Sequence, residues 1–202
     1  WDNFDQLANG AGISFADGAK GQGVDNNAFF YKSPDLMDGL NITMSYNPQG
    51  GGQTNSEMGY GFNYTGVEGL SLSYANTDVE SGTATSSGDN TAYKVSYAYG
   101  PVTVSYSDME ASVAAASDAL DGTSSSYAVS YTVSDELSVT YGSETHDQGD
   151  SSVDMEVEGI TAAYTSGGMT ITAKMQSLDN GDFATGANND LDYWALGASF
   201  AF

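Results

Sequence analysis

The stretch Tyr193-Trp194-Ala195-Leu196-Gly197-Ala198-Ser199-Phe200-Ala201-Phe202 alternates between two kinds of side chain. Its even positions are apolar, and its odd positions from Ala195 to Ala201 are small. A period of two residues places successive side chains on opposite faces of a β-strand. The stretch therefore predicts a strand with one apolar face and one face of small residues, which suits lipid on one side and water on the other.

The same alternation recurs along the chain, as in Leu40-x-Ile42-x-Met44. Helical spacing fits none of these segments, so the chain is predicted to be all-β. The predicted strands are 26–33, 40–47, 57–65, 69–76, 91–99, 101–108, 126–134, 136–143, 156–165, 168–177 and 191–202.

The links between the predicted strands alternate in length. Short links with turn residues lie at 34–39, 66–68, 99–101, 134–136 and 166–168. Long links rich in Gly, Ser, Asn and Asp lie at 48–56, 77–90, 109–125, 144–155 and 178–190. Antiparallel hairpins with short turns at one end and long loops at the other are typical of transmembrane β-barrels.

The composition of the chain excludes several kinds of binding partner and metal site. The 202 residues include no Cys and only four Lys against 27 acids, for a net charge of −23. Nucleic acid is excluded as a partner, because phosphate binding needs clustered cations. Disulfides and thiolate metal sites are excluded by the lack of Cys. No apolar run approaches the about 20 residues of a membrane helix.

Aromatic residues fall near both ends of the predicted strands, for example Tyr74 and Tyr106 on the loop side and Tyr64 and Tyr99 on the turn side. Tyr and Trp favour the two water–lipid interfaces of a membrane. The sequence thus predicts a transmembrane antiparallel β-barrel in a single domain over 1–202. A soluble sandwich with its aromatic residues in a core is the alternative.

Asn27-Ala28-Phe29-Phe30-Tyr31-Lys32-Ser33-Pro34, followed by Gly39-Leu40 and an alternating strand, resembles the bacterial general porins of the alphaproteobacterial type. The terminal strand ending in Phe202 is similar to the last strand of outer-membrane barrels. The resemblance implies an integral protein of the bacterial outer membrane, in contact with outer-membrane lipid and lipopolysaccharide. It also implies a homotrimer and a passive diffusion channel for small hydrophilic solutes and ions, with no enzymatic step and no cofactor.

Eleven strands is an odd number, whereas single-chain bacterial barrels usually have an even number. The resemblance implies a 16-stranded barrel in which 26–202 supply the last eleven strands and the first five are missing from this sequence. Residues 1–25 would then be the remainder of the inward-folded constriction loop. A complete 12-stranded barrel, with a further strand at Gly12-Ile13-Ser14-Phe15-Ala16, is the alternative.

Strand parity predicts which side chains line the lumen. Phe30 and Lys32 alternate with Phe29 and Tyr31 and are expected to face inward, as are Lys94 and Lys174 on their own strands. The resemblance places carboxylates of the constriction loop opposite this basic wall. The candidates for those carboxylates are Asp2, Asp5, Asp17 and Asp25.

The acids of the long loops and the single histidine are expected to be solvated surface groups. The acids of the long loops are expected to form a solvated rim, with Ca²⁺ as a possible ligand at Asp147, Asp150 and Asp154. His146, the single histidine, is expected to be a solvated loop residue, so no catalytic group is predicted.

Small predicted lumen residues such as Ser73, Ser105 and Thr172 leave room for water and favour an open channel. The alternative function is an acidic surface barrel, without an open pore, that acts in adhesion or as a phage receptor. A plugged barrel of that kind would need bulky, paired side chains on its inner face.

Overall fold

The computed structural model describes residues 28–48, 55–81, 87–114 and 121–201. These residues form eleven strands in one antiparallel sheet, and each strand pairs with the next along the chain. The strands are β1 Phe29–Lys32, β2 Leu40–Asn47, β3 Asn55–Tyr64, β4 Leu70–Ser81, β5 Gly88–Tyr99, β6 Val102–Val113, β7 Gly122–Thr132, β8 Leu137–Gln148, β9 Met155–Ser166, β10 Met169–Asp179 and β11 Leu191–Phe200. The predicted number, order and direction of the strands are confirmed.

A single short 3-10 turn, Gly181–Phe183, accompanies the strands within the described ranges. No helix in these ranges has the length and apolar character that crossing a membrane would require.

The strand ends differ from the sequence prediction on the loop side. β4 continues to Ser81, β6 continues to Val113 and β8 continues to Gln148, so much of what was predicted as loop is paired strand. The acidic and small residues there have low strand propensity, but an established ladder pairs them in register with their neighbours. β1, in contrast, is shorter than predicted and covers only Phe29–Lys32.

Strand register divides the sheet into two faces. Val104 pairs with Tyr97 and Val129, while the next residue, Ser105, pairs with Ser96 and Ala128. The face that carries Val104 is called the apolar face below, and the face that carries Ser105 is called the lumen face. The predicted lipid-facing residues Tyr64, Val95, Val104, Ile171 and Leu196 all lie on the apolar face.

An aromatic belt crosses the apolar face on the side of the long links. Phe62 and Tyr74 are stacked at 5.8 Å between ring centroids, and Tyr93 lies 6.0 Å from Tyr106. These rings belong to neighbouring strands and are partly exposed. A belt of partly exposed Tyr rings beside apolar residues is typical of the boundary between the hydrocarbon and the lipid headgroups.

Gly69 lies in the turn before β4, at the opposite end of the sheet, where the backbone packs closely against its neighbour. Its φ is +76°, and an added Cβ would collide with the carbonyl oxygen of Ala98. We expect Gly69→Ala to lower the free energy of unfolding by about 2–4 kcal/mol, from backbone strain plus the collision. Gly100→Ala is the matched control, because Gly100 also has a positive φ but nothing near its Cβ position. Equal losses in urea unfolding would contradict the packing described here.

Candidate pore wall

The lumen face is a wall of small polar side chains that bond to one another across the strands. Ser73 donates a hydrogen bond to Asn63 at 2.8 Å, and Asn63 contacts Asn41 at 3.5 Å. Further pairs link Ser107 with Ser126 at 2.9 Å and Ser130 with Thr140 at 2.8 Å. Ser107 and Ser126 are buried, whereas the other residues of these pairs are partly exposed, so the wall is compatible with water beside those residues.

The three lysines of the described residues all lie on the lumen face. Lys32 pairs with Thr43, Lys94 pairs with Ser73 and Ser107, and Lys174 pairs with Thr161 and Ala195. Lys32 is exposed, whereas Lys94 and Lys174 are half-buried. The register therefore puts each of these three lysines where strand parity predicts it, and their role in ion selection stays a prediction.

Phe30, the fourth wall candidate, pairs with Ser45 and shares the face of Lys32. It is strongly exposed, and its ring extends the wall at the edge of the sheet. The candidate constriction carboxylates Asp2, Asp5, Asp17 and Asp25, like the proposed loop 1–25, lie outside the described residues.

The expectation for His146 is wrong. His146 lies on β8, not in a solvated loop, and only 1% of its surface is exposed. Its Nδ1 is 2.9 Å from the hydroxyl of Ser124 on β7, and its Nε2 is 3.9 Å from a carboxylate oxygen of Glu144. Tyr141, Ser143 and Thr145 follow the outward-facing parity of this strand. Continuing that alternation past the predicted strand end at 143 would have placed His146 on the inner face.

Ser124, His146 and Glu144 have the residue types of a hydrolytic triad but not its geometry. The 3.9 Å between imidazole and carboxylate exceeds hydrogen-bond length, so Glu144 does not fix the ring through that contact. The Ser124 side chain is also buried, which leaves no access for a substrate to the hydroxyl. The arrangement is that of a packed polar cluster in the wall.

A basic and an acidic side chain share one row of the wall. Lys94, Ser107, Ser126 and Glu144 are successive partners across β5, β6, β7 and β8. Three strand spacings separate Lys94 from Glu144 by about 14 Å. The row thus has a basic side chain on β5 and a buried acidic side chain on β8, a feature that residue-by-residue parity did not reveal because the two residues are far apart in sequence.

The lumen face also has an apolar patch near the long links. Met155, Val157 and Leu178 are completely buried, and Phe183 of the 3-10 turn packs against them. The link after β10 therefore folds back over the inner face of β9 and β10. A lumen wall of only small polar residues was expected, and this patch departs from that expectation.

Acidic residues gather on the apolar face beyond the aromatic belt, on the side of the long links. All of them are strand residues: Asp78, Glu80, Asp89, Asp108, Glu110, Asp147, Glu156, Glu158, Asp179 and Asp192. Six of these are predicted from the sequence as solvated loop acids, namely Asp78, Glu80, Asp89, Glu110, Asp147 and Asp179. Tyr106 and Tyr141 of the belt donate hydrogen bonds to Asp108 at 3.0 Å and to Glu158 at 2.9 Å. Negative charge is therefore concentrated at the headgroup level, and the described lysines are on the opposite face.

The possible Ca²⁺ ligands divide between a strand and a link. Asp147 is near the end of β8, and Asp150 and Asp154 lie in the link that follows. The carboxyl groups of Asp147 and Asp154 are within hydrogen-bonding reach of each other. Among the residues that the structure describes, no three acidic, His or Cys side chains come close enough together to hold a metal ion.

Solved structures with the same arrangement of strands are porins. The anion-selective porin from Comamonas acidovorans superposes with a TM-score of 0.65 and 19% identity over 93% of this chain and 63% of its own. A porin refined at 1.8 Å superposes with a TM-score of 0.64 and 16% identity, over 87% of this chain and 60% of its own. Salmonella typhi OmpF in complex with daunomycin superposes with a TM-score of 0.61 and 16% identity, over 86% of this chain and 61% of its own. This chain thus spans about three fifths of the length of these proteins, and the likeness shows a porin-type β-barrel fold.

Sequence comparison gives the family. No curated protein matches the chain in sequence. The family model described as Gram-negative porin matches residues 1–202, the whole of the sequence. The chain therefore belongs to the Gram-negative porin family, the integral β-barrel proteins of the bacterial outer membrane.

Proposed function

We propose that the protein is a water-filled channel through which small hydrophilic solutes and ions diffuse passively across the outer membrane. The observation that carries the proposal is the division of one sheet into an exposed apolar face and a face of short polar side chains. Lipid can cover the first face and water can wet the second, with no chemical step involved. Nothing in the described ranges favours an adhesive or receptor function over a channel.

Closure of the barrel is part of the proposal. β1 and β11 lie at the two ends of the strand order, and unpaired backbone groups inside a membrane cost several kcal/mol each. We propose that further strands complete a 16-stranded barrel, which agrees with the share of the solved porins that this chain covers. The 12-stranded arrangement would instead draw its last strand from residues before β1, and a complete, heat-resistant barrel formed by 1–202 alone would favour it.

The proposed channel also has an oligomeric state, a lipid environment and a constriction. We propose a homotrimer in contact with lipopolysaccharide, on the basis of the family alone. Residues 1–25 are proposed to narrow the lumen, with Asp2, Asp5, Asp17 or Asp25 opposite Lys32. Any Ca²⁺ at Asp147 and Asp154 would bind at the outer rim and would take no part in solute passage.

Reversal of one wall charge tests the proposed route of ions. Lys94 lies in the middle of the polar row, between Ser73 and Ser107. We expect Lys94→Glu to raise the cation-to-anion permeability ratio roughly threefold in 0.1 M salt, since a change of two charges acts on a nearby ion through screened water. Lys94→Gln should give a smaller shift in the same direction. Reversal potentials of the full-length protein in planar bilayers under a salt gradient provide the measurement.

The same recordings test the channel itself. Stable, stepwise conductance that rises with bulk salt concentration is expected for a wet pore. Purified, membrane-inserted protein that gives no conductance would contradict the proposed function. An unchanged permeability ratio in Lys94→Glu, with conductance intact, would instead show that ions do not pass close to this row.

A further inference from the structure

A groove of about 560 Å³ opens on the apolar face between β8 and β11. Tyr141, Ile160, Met175 and Trp194 are successive partners across these strands and line it. Trp194, on the edge strand β11, is 77% exposed and Met175 is 65% exposed, so the described residues cover little of this apolar surface. The groove lies at the level of the aromatic belt, where the acyl chains of a lipid meet its headgroup.

The loop-side edge of the groove is acidic. Glu158 and Asp192 line it, with the small residue Ser177 between them on β10. The phenol of Tyr141 donates a hydrogen bond to Glu158 at 2.9 Å and so orients that carboxylate. A carboxylate has more acceptor sites than this one bond uses, and it can accept from a further donor. The groove therefore combines an apolar floor with two negative charges at the headgroup level.

We propose that this groove binds one lipid whose headgroup carries an ammonium group. The ammonium lies between Glu158 and Asp192 and beside the ring of Trp194, while an acyl chain lies along Ile160 and Met175. Carboxylates and aromatic faces both attract a cationic amine, and the apolar floor removes the acyl chain from water.

Charge complementarity favours this occupant over two others. An anionic headgroup would be repelled by Glu158 and Asp192 and by the acids of the neighbouring rows, among them Glu156 and Asp179. A second copy of the chain would bring more carboxylates on its own apolar face, whereas its described lysines all lie on the lumen face. A lipid ammonium supplies the missing positive charge at the right depth.

Trp194 provides a direct probe, because it lies in the groove. Full-length protein is reconstituted in bilayers with EDTA present, and quenching of Trp194 is measured with lipids brominated on the acyl chain. The signal of a Trp194→Phe variant is subtracted to remove other tryptophans. We expect a brominated phosphatidylethanolamine, whose primary ammonium can donate hydrogen bonds, to bind at Trp194 about fivefold more tightly than a brominated phosphatidylglycerol.

Charge-removing variants test the role of the acidic edge. The double variant Glu158→Gln, Asp192→Asn should bring the ratio of the two affinities close to one. Glu156→Gln is the matched control, since Glu156 is an acid of the same face outside the groove, and it should leave the ratio unchanged. Loss of preference in the control as well would overturn the proposal, because the preference would then reflect overall charge.

Three other results would also overturn it. Equal quenching by both lipids in the unmodified protein would mean that the groove is only an apolar surface. A preference for phosphatidylglycerol that requires Mg²⁺ would assign the site to an anionic headgroup bridged by a divalent cation. Protection of Trp194 from every brominated lipid would mean that protein covers the groove.

Discussion

Val104→Arg is expected to impair insertion of the barrel severely. Val104 is in the middle of the apolar side chains on the outer face of β6, between Val102 and Tyr106, and is paired with Tyr97 and Val129. An arginine there would lie in hydrocarbon, at a cost of about 2–4 kcal/mol near the membrane midplane. The free energy of unfolding in lipid vesicles, followed by urea titration, should fall by this amount.

Ser105→Arg is the matched control one residue along the chain. Ser105 is on the lumen face, so its arginine would point into water and should change stability by about 1 kcal/mol or less. If both variants lose the same stability, the apolar face is not in lipid. If Ser105→Arg is the more damaging, the two faces have been assigned the wrong way round.

Leu178→Ala is expected to give the second large effect. Leu178 is completely buried against Met155, Val157 and Phe183, so truncation would leave a cavity in the apolar patch. The expected loss is about 2–5 kcal/mol in the free energy of unfolding, with greater protease sensitivity in the link 180–190. Urea titration and limited proteolysis measure the two quantities.

Leu196→Ala removes the same atoms from the opposite side of the sheet. Leu196 is 70% exposed on the apolar face, where lipid can fill the space left by the side chain. Its loss of stability should therefore be much smaller than that of Leu178→Ala. Equal losses, or no loss for Leu178→Ala, would contradict the packing of the link onto β9 and β10.

The fold could be predicted because each strand repeats one simple physical requirement. Alternation such as Leu70-x-Leu72-x-Tyr74 fixes both the strand and its faces, since a slip by one residue would turn every apolar side chain towards water. The turns at Gly69 and Gly100, both with positive φ, mark where the chain reverses direction. These signals are local and need no knowledge of the rest of the sheet.

The pore wall was only partly predictable, because its features depend on distant partners. The faces of Lys94 and Lys174 follow from parity, but the row that joins Lys94 to Glu144 depends on the pairing of four strands. His146 was misjudged since Glu144-Thr145-His146-Asp147 reads as a polar loop until β7 extends the ladder. The apolar patch was missed because Phe183 reaches Met155 only when its link folds back.

The most direct test of a two-faced, water-filled wall is a cysteine scan of the full-length protein during conductance recording. This chain contains no native cysteine, so each of Ser73, Lys94 and Ser105, and separately Leu72, Val95 and Val104, can be replaced in turn. A charged, membrane-impermeant thiol reagent should change the current at the first three positions and leave it unchanged at the other three. Equal effects at both sets, or modification of the lumen positions with no change in current, would contradict the account.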